Sequence, residues 1–165
     1  MNSDLKLVKL PTATLKQLSK PVTKFDEALK KLASQMGQAM FDFQGIGLAA
    51  PQIGHNVRLI VVIQGEDGYQ AYVNPEITFL SKEGVTSEEG CLSAPGIYGL
   101  VPRAKKIRFS YHDLDGKKHK DKAKGLPAII LQHECDHLQG RLIVDKMEQI
   151  THGQDELTKI TKSSL

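Results

Sequence analysis

The segment Gln132-His-Glu-Cys-Asp-His137 holds two imidazoles and a carboxylate at H-E-x-x-H spacing. On an α-helix His133 and His137 lie about 40° apart on one face, one turn above each other. Glu134 lies about 60° beyond His137 on the same side. Two imidazoles and a carboxylate converging in an apolar setting suit a divalent metal, with the carboxylate as proton shuttle. On a solvated helix the same spacing would carry no chemistry. The preceding Ala128-Ile-Ile-Leu131 run is too apolar for an outer face.

A catalytic metal site keeps three protein ligands and one open position. One protease class supplies the third ligand by extending the motif to H-E-x-x-H-x-x-G-x-x-H. This chain follows that pattern through Gly140 and then has Ile143. The remaining donors are Cys91, Cys135, His55, His112, His119 and His152. Cys135 sits roughly 160–200° round the helix from the histidines and points away, as a small core residue. Cys91 follows Glu88-Glu-Gly90 and precedes Leu92-Ser-Ala-Pro-Gly96. That is a strand end running into a turn, where a thiolate can face inward.

The motif helix is bounded by its own sequence. Gly125 breaks what precedes it, Pro127 falls in the first turn where its missing N–H costs nothing, and Gly140 supplies a left-handed stop. Upstream, Thr23 with Asp26 resembles a weak capping box that opens a first helix. Phe25, Leu29, Leu32, Met36, Met40 and Phe43 recur along it at three- and four-residue spacing, a core-facing stripe. Gly45 and Gly47 end this helix. The Gly45-Ile-Gly47 stretch can lie extended, allow close backbone approach and pair with a peptide as an added strand; a plain Gly-rich turn is the simpler alternative.

Strand patterns follow at Val57–Gln64, Tyr69–Val73 and Ile77–Leu80, with an interruption at Asn74-Pro75. Another leads from Val85 to Cys91, and a hairpin joins Ile107, Phe109 and Tyr111 to Lys117–Ala123 through Asp113-Leu-Asp-Gly116. The expected fold is α+β, with antiparallel sheets wrapped around a central metal-binding helix and the N-terminal helix packed outside. Residues 1–165 read as one domain, with 1–22 an extended arm and 146–165 a tail that frays.

Three separated motifs, Gly45-Ile-Gly-Leu-Ala-Ala-Pro-Gln52, Glu89-Gly-Cys-Leu-Ser93 and Gln132-His-Glu-Cys-Asp-His137, resemble the signature motifs of the peptide deformylase family in order and spacing. The resemblance covers Leu7 to Asp145. It implies hydrolysis of the N-formyl group from the initiator methionine of new polypeptides, releasing formate. It also implies Cys91, His133 and His137 as metal ligands and Glu134 as the acid–base group. Leu92, through its backbone N–H, and the Gln52 side chain would meet the oxyanion. Gly47 and Ile46 would lie along the substrate, and Ile46, Leu126, Ile129, Ile130 and His133 would line a methionine pocket. Members of the family often have an arginine at or near Tyr98, so contacts beyond the methionine differ here. A thiolate and two imidazoles suit zinc, iron(II), nickel or cobalt, and the resemblance favours one Fe(2+) per chain. Two alternatives use the same helix. A generic zincin-type metallopeptidase would leave Cys91 without purpose, and a non-catalytic metal-binding homologue would not need Glu134.

Bulk properties fit a globule: 165 residues, 40% hydrophobic, 25% charged, net charge +3. No apolar run approaches the roughly 18 residues of a membrane span, and no signal or transit peptide is seen. Two cysteines inside two chemical motifs fit a reducing compartment, and the resemblance implies a bacterial-type cytoplasm. A monomer with no sequence-specific nucleic-acid partner is expected. Charge is nevertheless polarised, since 103–124 holds Arg103, Lys105, Lys106, Arg108, Lys117, Lys118, Lys120, Lys122 and Lys124 against three aspartates. That hairpin could touch the ribosome that delivers the substrate, or its lysines could simply keep an edge strand from pairing.

Overall fold

The computed structural model describes residues 5–163. The first four residues of the expected arm and the last two of the tail lie outside the described residues. Helix α1 spans Glu27–Asp42. The strands are β1 (Gly47–Ala49), β2 (Leu59–Gln64), β3 (Gly68–Leu80), β4 (Gly84–Cys91), β5 (Ala94–Ala104), β6 (Lys106–His112), β7 (Lys118–Lys124) and β8 (Gln149–His152). Helix α2 spans Leu126–Leu138 and α3 Gln154–Ser163. Strands pair antiparallel in two sheets, a five-stranded one ordered β1-β2-β3-β6-β7 and a three-stranded one ordered β4-β5-β8. The architecture is α+β.

Alternation of side chains gives the five-stranded sheet two apolar faces. One buries Leu59, Val61, Ala71 and Val73 against Leu29, Met36 and Met40 of α1. The other buries Ile60, Val62, Ile107 and Phe109 against Ile130, Leu131, Cys135 and Leu138 of α2. The three-stranded sheet has its own cluster, in which Ile97 and Val101 meet Ile143. So α2 lies between the sheets, and its burial on most sides explains why its sequence is apolar all round.

Several boundaries differ from the sequence pattern. Helix α1 begins at Glu27, not Thr23, because Asp26 is the N-cap and its carboxylate accepts the Leu29 N–H at 3.0 Å. Phe25 packs on the core from outside the helix. Strand β3 runs through Asn74-Pro75 with a register shift, held there by Asn74, whose side chain bonds both backbone groups of Val22. Strand β5 occupies a stretch read as a turn at its start. Residues 149–163 form a strand and a helix where fraying is expected, with Leu157 and Ile160 packed on the third cluster.

The arm is tied down at chosen places. Val8 N–H donates to the Gln52 carbonyl, Leu10 N–H to that of Ser93, and Ser19 N–H to that of Leu138. Gly140 follows α2 at φ +68°, and a Cβ there would stand 2.4 Å from the Lys16 carbonyl oxygen. Backbone cannot move aside as a side-chain tip can. Gly140→Ala is expected to lower stability by about 2–4 kcal/mol, combining left-handed strain with displacement of the arm. Urea denaturation with an unchanged m-value would measure it; a loss under about 0.5 kcal/mol would show that the arm does not hold this turn.

Candidate metal centre and substrate cleft

Cys91 is the last residue of β4, and His133 and His137 rise one turn apart from α2. Sγ of Cys91 lies 3.3 Å from Nε2 of His137. Ligand atoms of Cys91, His133 and His137 all fall within 4.8 Å of one another. Tetrahedral coordination at ordinary metal–sulfur and metal–nitrogen lengths separates donors by roughly 3.3–3.6 Å. The three side chains therefore form a possible metal site, of a size and donor chemistry that suit a transition metal. His55, His112, His119 and His152 do not join it; His112 packs on Phe25, and His119 bonds Asp113.

The His133 ring is oriented by its second nitrogen. Nδ1 lies 2.9 Å from Oε2 of Glu89, leaving Nε2 for the centre. Glu89 in turn accepts two hydrogen bonds from Arg103, from Nε at 2.8 Å and from Nη2 at 2.9 Å. Nη1 of Arg103 donates to Asp136, whose other oxygen takes Lys146 at 2.8 Å. Arg103 is 4% exposed. It therefore leaves the cationic surface to which its sequence neighbours assign it. Burial pushes the Glu89 carboxyl up, but hydrogen bonds from Arg103 and His133 outweigh it and bring it down to about 2. Burial likewise opposes charge on His133, yet its bonds to Cys91 and Glu89 hold it well above the ordinary histidine value. His137 is driven well below by its burial and by the charges of His133 and Arg103.

Glu134 is the exception among these carboxylates. It is buried, and its Oε2 has no hydrogen-bond partner among the described residues. Burial lifts it to about 7, against the pull of His133 and Arg103. Gly47 makes room for it, because a Cβ at that position would meet Glu134 Oε1 at 2.4 Å. Gln52 is 2% exposed and fixed at both ends. Its Oε1 accepts the Ala49 N–H at 2.9 Å, so Nε2 faces Ser93 Oγ at 3.2 Å and Cys91 Sγ at 3.6 Å. Cys135 faces the core instead, and burial pushes its thiol up to about 12.

A cleft of about 620 Å³ opens over this centre. Gly47 and Ile46 line one wall and Leu92 another, while Leu126, Ile129 and Ile130 form an apolar floor that reaches His133 and Glu134. Ile46 and Leu126 are half or more exposed, so the mouth offers bare apolar surface. Tyr98 stands at the rim, its ring over Gly90. Strand β1 pairs only with β2, leaving its other edge toward the cleft.

Residues 4–152 match the family model for polypeptide deformylase. The chain belongs to the polypeptide deformylase family. The peptide deformylase of Brucella suis is 43% identical over 148 residues, which is 87% of this chain and 85% of that protein. Among solved structures, peptide deformylase from Thermotoga maritima superposes with a TM-score of 0.85 at 40% identity, covering 87% of this chain and 97% of that one. The Met-Ala-Ser-bound class I type b peptide deformylase of Acinetobacter baumannii gives 0.84 at 35% identity, covering 89% and 100%. Family membership makes the chain a metal-dependent enzyme that removes N-formyl groups from nascent peptides. No helix among the described residues is long and apolar enough to cross a membrane.

The sequence pattern gives no role to Glu89 or Asp136. One signal was available: period-2 alternation puts Glu89 on the same face of β4 as Cys91, and a carboxylate sent inward needs a buried cation. Glu89→Gln should weaken metal affinity by about 10–100-fold and leave Arg103 half-paired, costing roughly 3–5 kcal/mol. A Glu89 pKa depressed by folding means its stabilisation is complete above the unfolded value, near 4.3, and is lost as pH falls toward about 2. Acid unfolding of the variant should therefore lack that limb. Unchanged metal retention together with an unchanged acid transition would remove Glu89 from the support of His133.

Proposed function

We propose that Cys91, His133 and His137 hold one Fe(2+), and that Glu134, Gln52 and Leu92 carry out the hydrolysis of N-formyl-methionyl peptides. The observation that carries this reading is the buried, unpartnered Glu134 carboxylate beside three converging donors at the foot of an apolar cleft. A divalent ion held there supplies Lewis-acid polarisation of the formyl oxygen and acidifies water at the open position. Glu134, poised near neutrality, accepts the proton of the attacking water and returns it to the departing amine, so its charge is restored after each turnover. Bonding of the water oxygen to the formyl carbon moves the carbonyl π pair onto the formyl oxygen; its return breaks the C–N bond, and formate leaves with both oxygens. Negative charge on the formyl oxygen is met by Gln52 Nε2, which Ala49 has already oriented, and by the Leu92 N–H.

The methionine side chain takes the floor formed by Leu126, Ile129 and Ile130, whose apolar surface matches an unbranched thioether. The substrate backbone runs along Ile46 and Gly47 and adds a strand to the open edge of β1. The same reading has the enzyme acting as a monomer in the cytoplasm, next to the ribosome from which its substrates emerge. Zinc, nickel or cobalt would satisfy the same donors.

Formate release from formyl-Met peptide, set against an internally blocked peptide with metal analysis of the same sample, is the direct test. Cleavage of the blocked peptide instead would make this a metallopeptidase, and metal without either activity would make it a binding homologue. Glu134→Ala should keep its metal and lose at least ~10²–10⁴-fold in turnover. More than about a tenth of activity surviving would remove Glu134 from the chemistry. Cys91→Ser should instead lose the metal itself, because a hydroxyl poorly replaces a thiolate.

A further inference from the structure

Helix α1 covers only part of the outer face of the five-stranded sheet. It packs on β2 and β3, and among the described residues no helix lies over that face of β6 and β7. Directly paired residues of neighbouring strands share a face. Val73 of β3 faces α1 and pairs with His112 of β6, which touches Phe25 from that side. Every second residue back along β6, namely Ser110, Arg108 and Lys106, therefore projects on the α1 side. Their β7 partners are Lys120, Lys122 and Lys124, with Lys118 opposite His112. Six exposed cations stand in two adjacent columns on the uncovered half of the sheet.

Among the described residues little neutralises them, Glu83 acting on Lys106 without an ion pair. Lys106, Lys118, Lys120, Lys122 and Lys124 make no ion pair among the described residues. Arg108 lies 5.2 Å over the Phe79 ring, itself 48% exposed. Glu76, opposite Ser110, is the acid on this face. Protection of an edge strand explains a lysine or two on β7. It does not explain Lys106 directly opposite Lys124, or Arg108 directly opposite Lys122. Like charges facing each other across a ladder weaken it, and an anion lying over both columns removes that cost.

We propose that this face binds the phosphate backbone of RNA. Alternate residues on a strand are roughly 6.7 Å apart, a spacing comparable to that of successive phosphates along a polynucleotide. The Phe79 ring, backed by Arg108, offers a platform for an unpaired base at one end of the columns. A bilayer would call for apolar anchors among the cations, and between the lysine columns there are none. The choice of RNA rests on the proposed function only in that an enzyme of nascent peptides works beside it; the columns and their repulsion stand without it.

Fluorescence anisotropy of a labelled short single-stranded RNA of mixed sequence, titrated with the whole chain at rising potassium chloride, reads the proposal. Each phosphate neutralised on a single strand contributes about −0.7 to the slope of log affinity against log salt, so six contacts give a slope of about −4. Lys118→Gln, Lys120→Gln and Lys122→Gln together should roughly halve that slope and weaken binding at least ~10-fold at low salt. None of the three lines the cleft, so hydrolysis of a small formyl peptide and the oligomeric state should not change. No RNA binding at low salt, salt-insensitive binding, or equal binding by the triple variant would overturn the proposal. Tighter binding to phosphatidylserine vesicles than to RNA would replace it with a membrane surface. Failure of the unmodified chain to cleave formyl peptide while still binding RNA would sink the proposed function and leave this face standing.

Discussion

Arg103 is a guanidinium held almost wholly out of water, and such a charge persists only where carboxylates meet it at good geometry. Glu89 gives it two oxygens from β4 and Asp136 a third from α2. Arg103 itself sits near the end of β5. One side chain thus ties the three-stranded sheet to the central helix, across the seam where Cys91 must meet His133 and His137. The arrangement also decides protonation. Glu89 stays ionised because Arg103 faces it, and an ionised Glu89 holds His133 Nδ1 and turns the other nitrogen inward. Glu134, one residue further along α2, has no such partner and is left with a proton affinity near neutrality. Two carboxylates in one small volume are thereby held at opposite ends of the carboxyl range, Glu89 at about 2 and Glu134 at about 7.

The cleft is a consequence of having two sheets that share no strand. The five-stranded sheet ends at β1 and the three-stranded one at β4, and both edges face the space above α2. Backbone edges on either side and an apolar helix surface beneath form a slot for an extended chain with one apolar side chain pointing down. Gly47 belongs to this geometry from two directions, as a member of the open edge and as the vacancy that accommodates Glu134.

What was legible in the sequence follows how local each determinant is. Helix α2 could be bounded to within a residue or two because Gly125, Pro127 and Gly140 act through their own backbones. Strand β6 could be read from Ile107, Phe109 and Tyr111, since one side of it meets the core. Each of the three motifs sends residues to the cleft, among them Gly47, Gln52, Cys91, His133 and Glu134. Strand β5 was hidden because Pro95, Gly96, Gly99 and Pro102 break its pattern, although Ile97 and Val101 are buried along it. Glu88 and Glu89 are the same residue type side by side, and only the pleat sends one to solvent and the other to Arg103. Arg103 looks in sequence like one more member of a basic run. Its burial is set by residues distant in the chain, which no local pattern encodes.

The arm's backbone partners lie far downstream of it in the chain. Its amides at Val8, Leu10 and Ser19 bond carbonyls of Gln52, Ser93 and Leu138 in that order, each made later in synthesis than the one before. Each amide therefore lacks its partner until that segment has been made, and the Ser19 bond forms only once the end of α2 has emerged. Because Gln52 and Ser93 are the residues that flank Cys91, docking of the arm is also the event that locks the loops around the centre. A nascent copy of this enzyme would thus complete the docking of its arm only after Leu138 has been made.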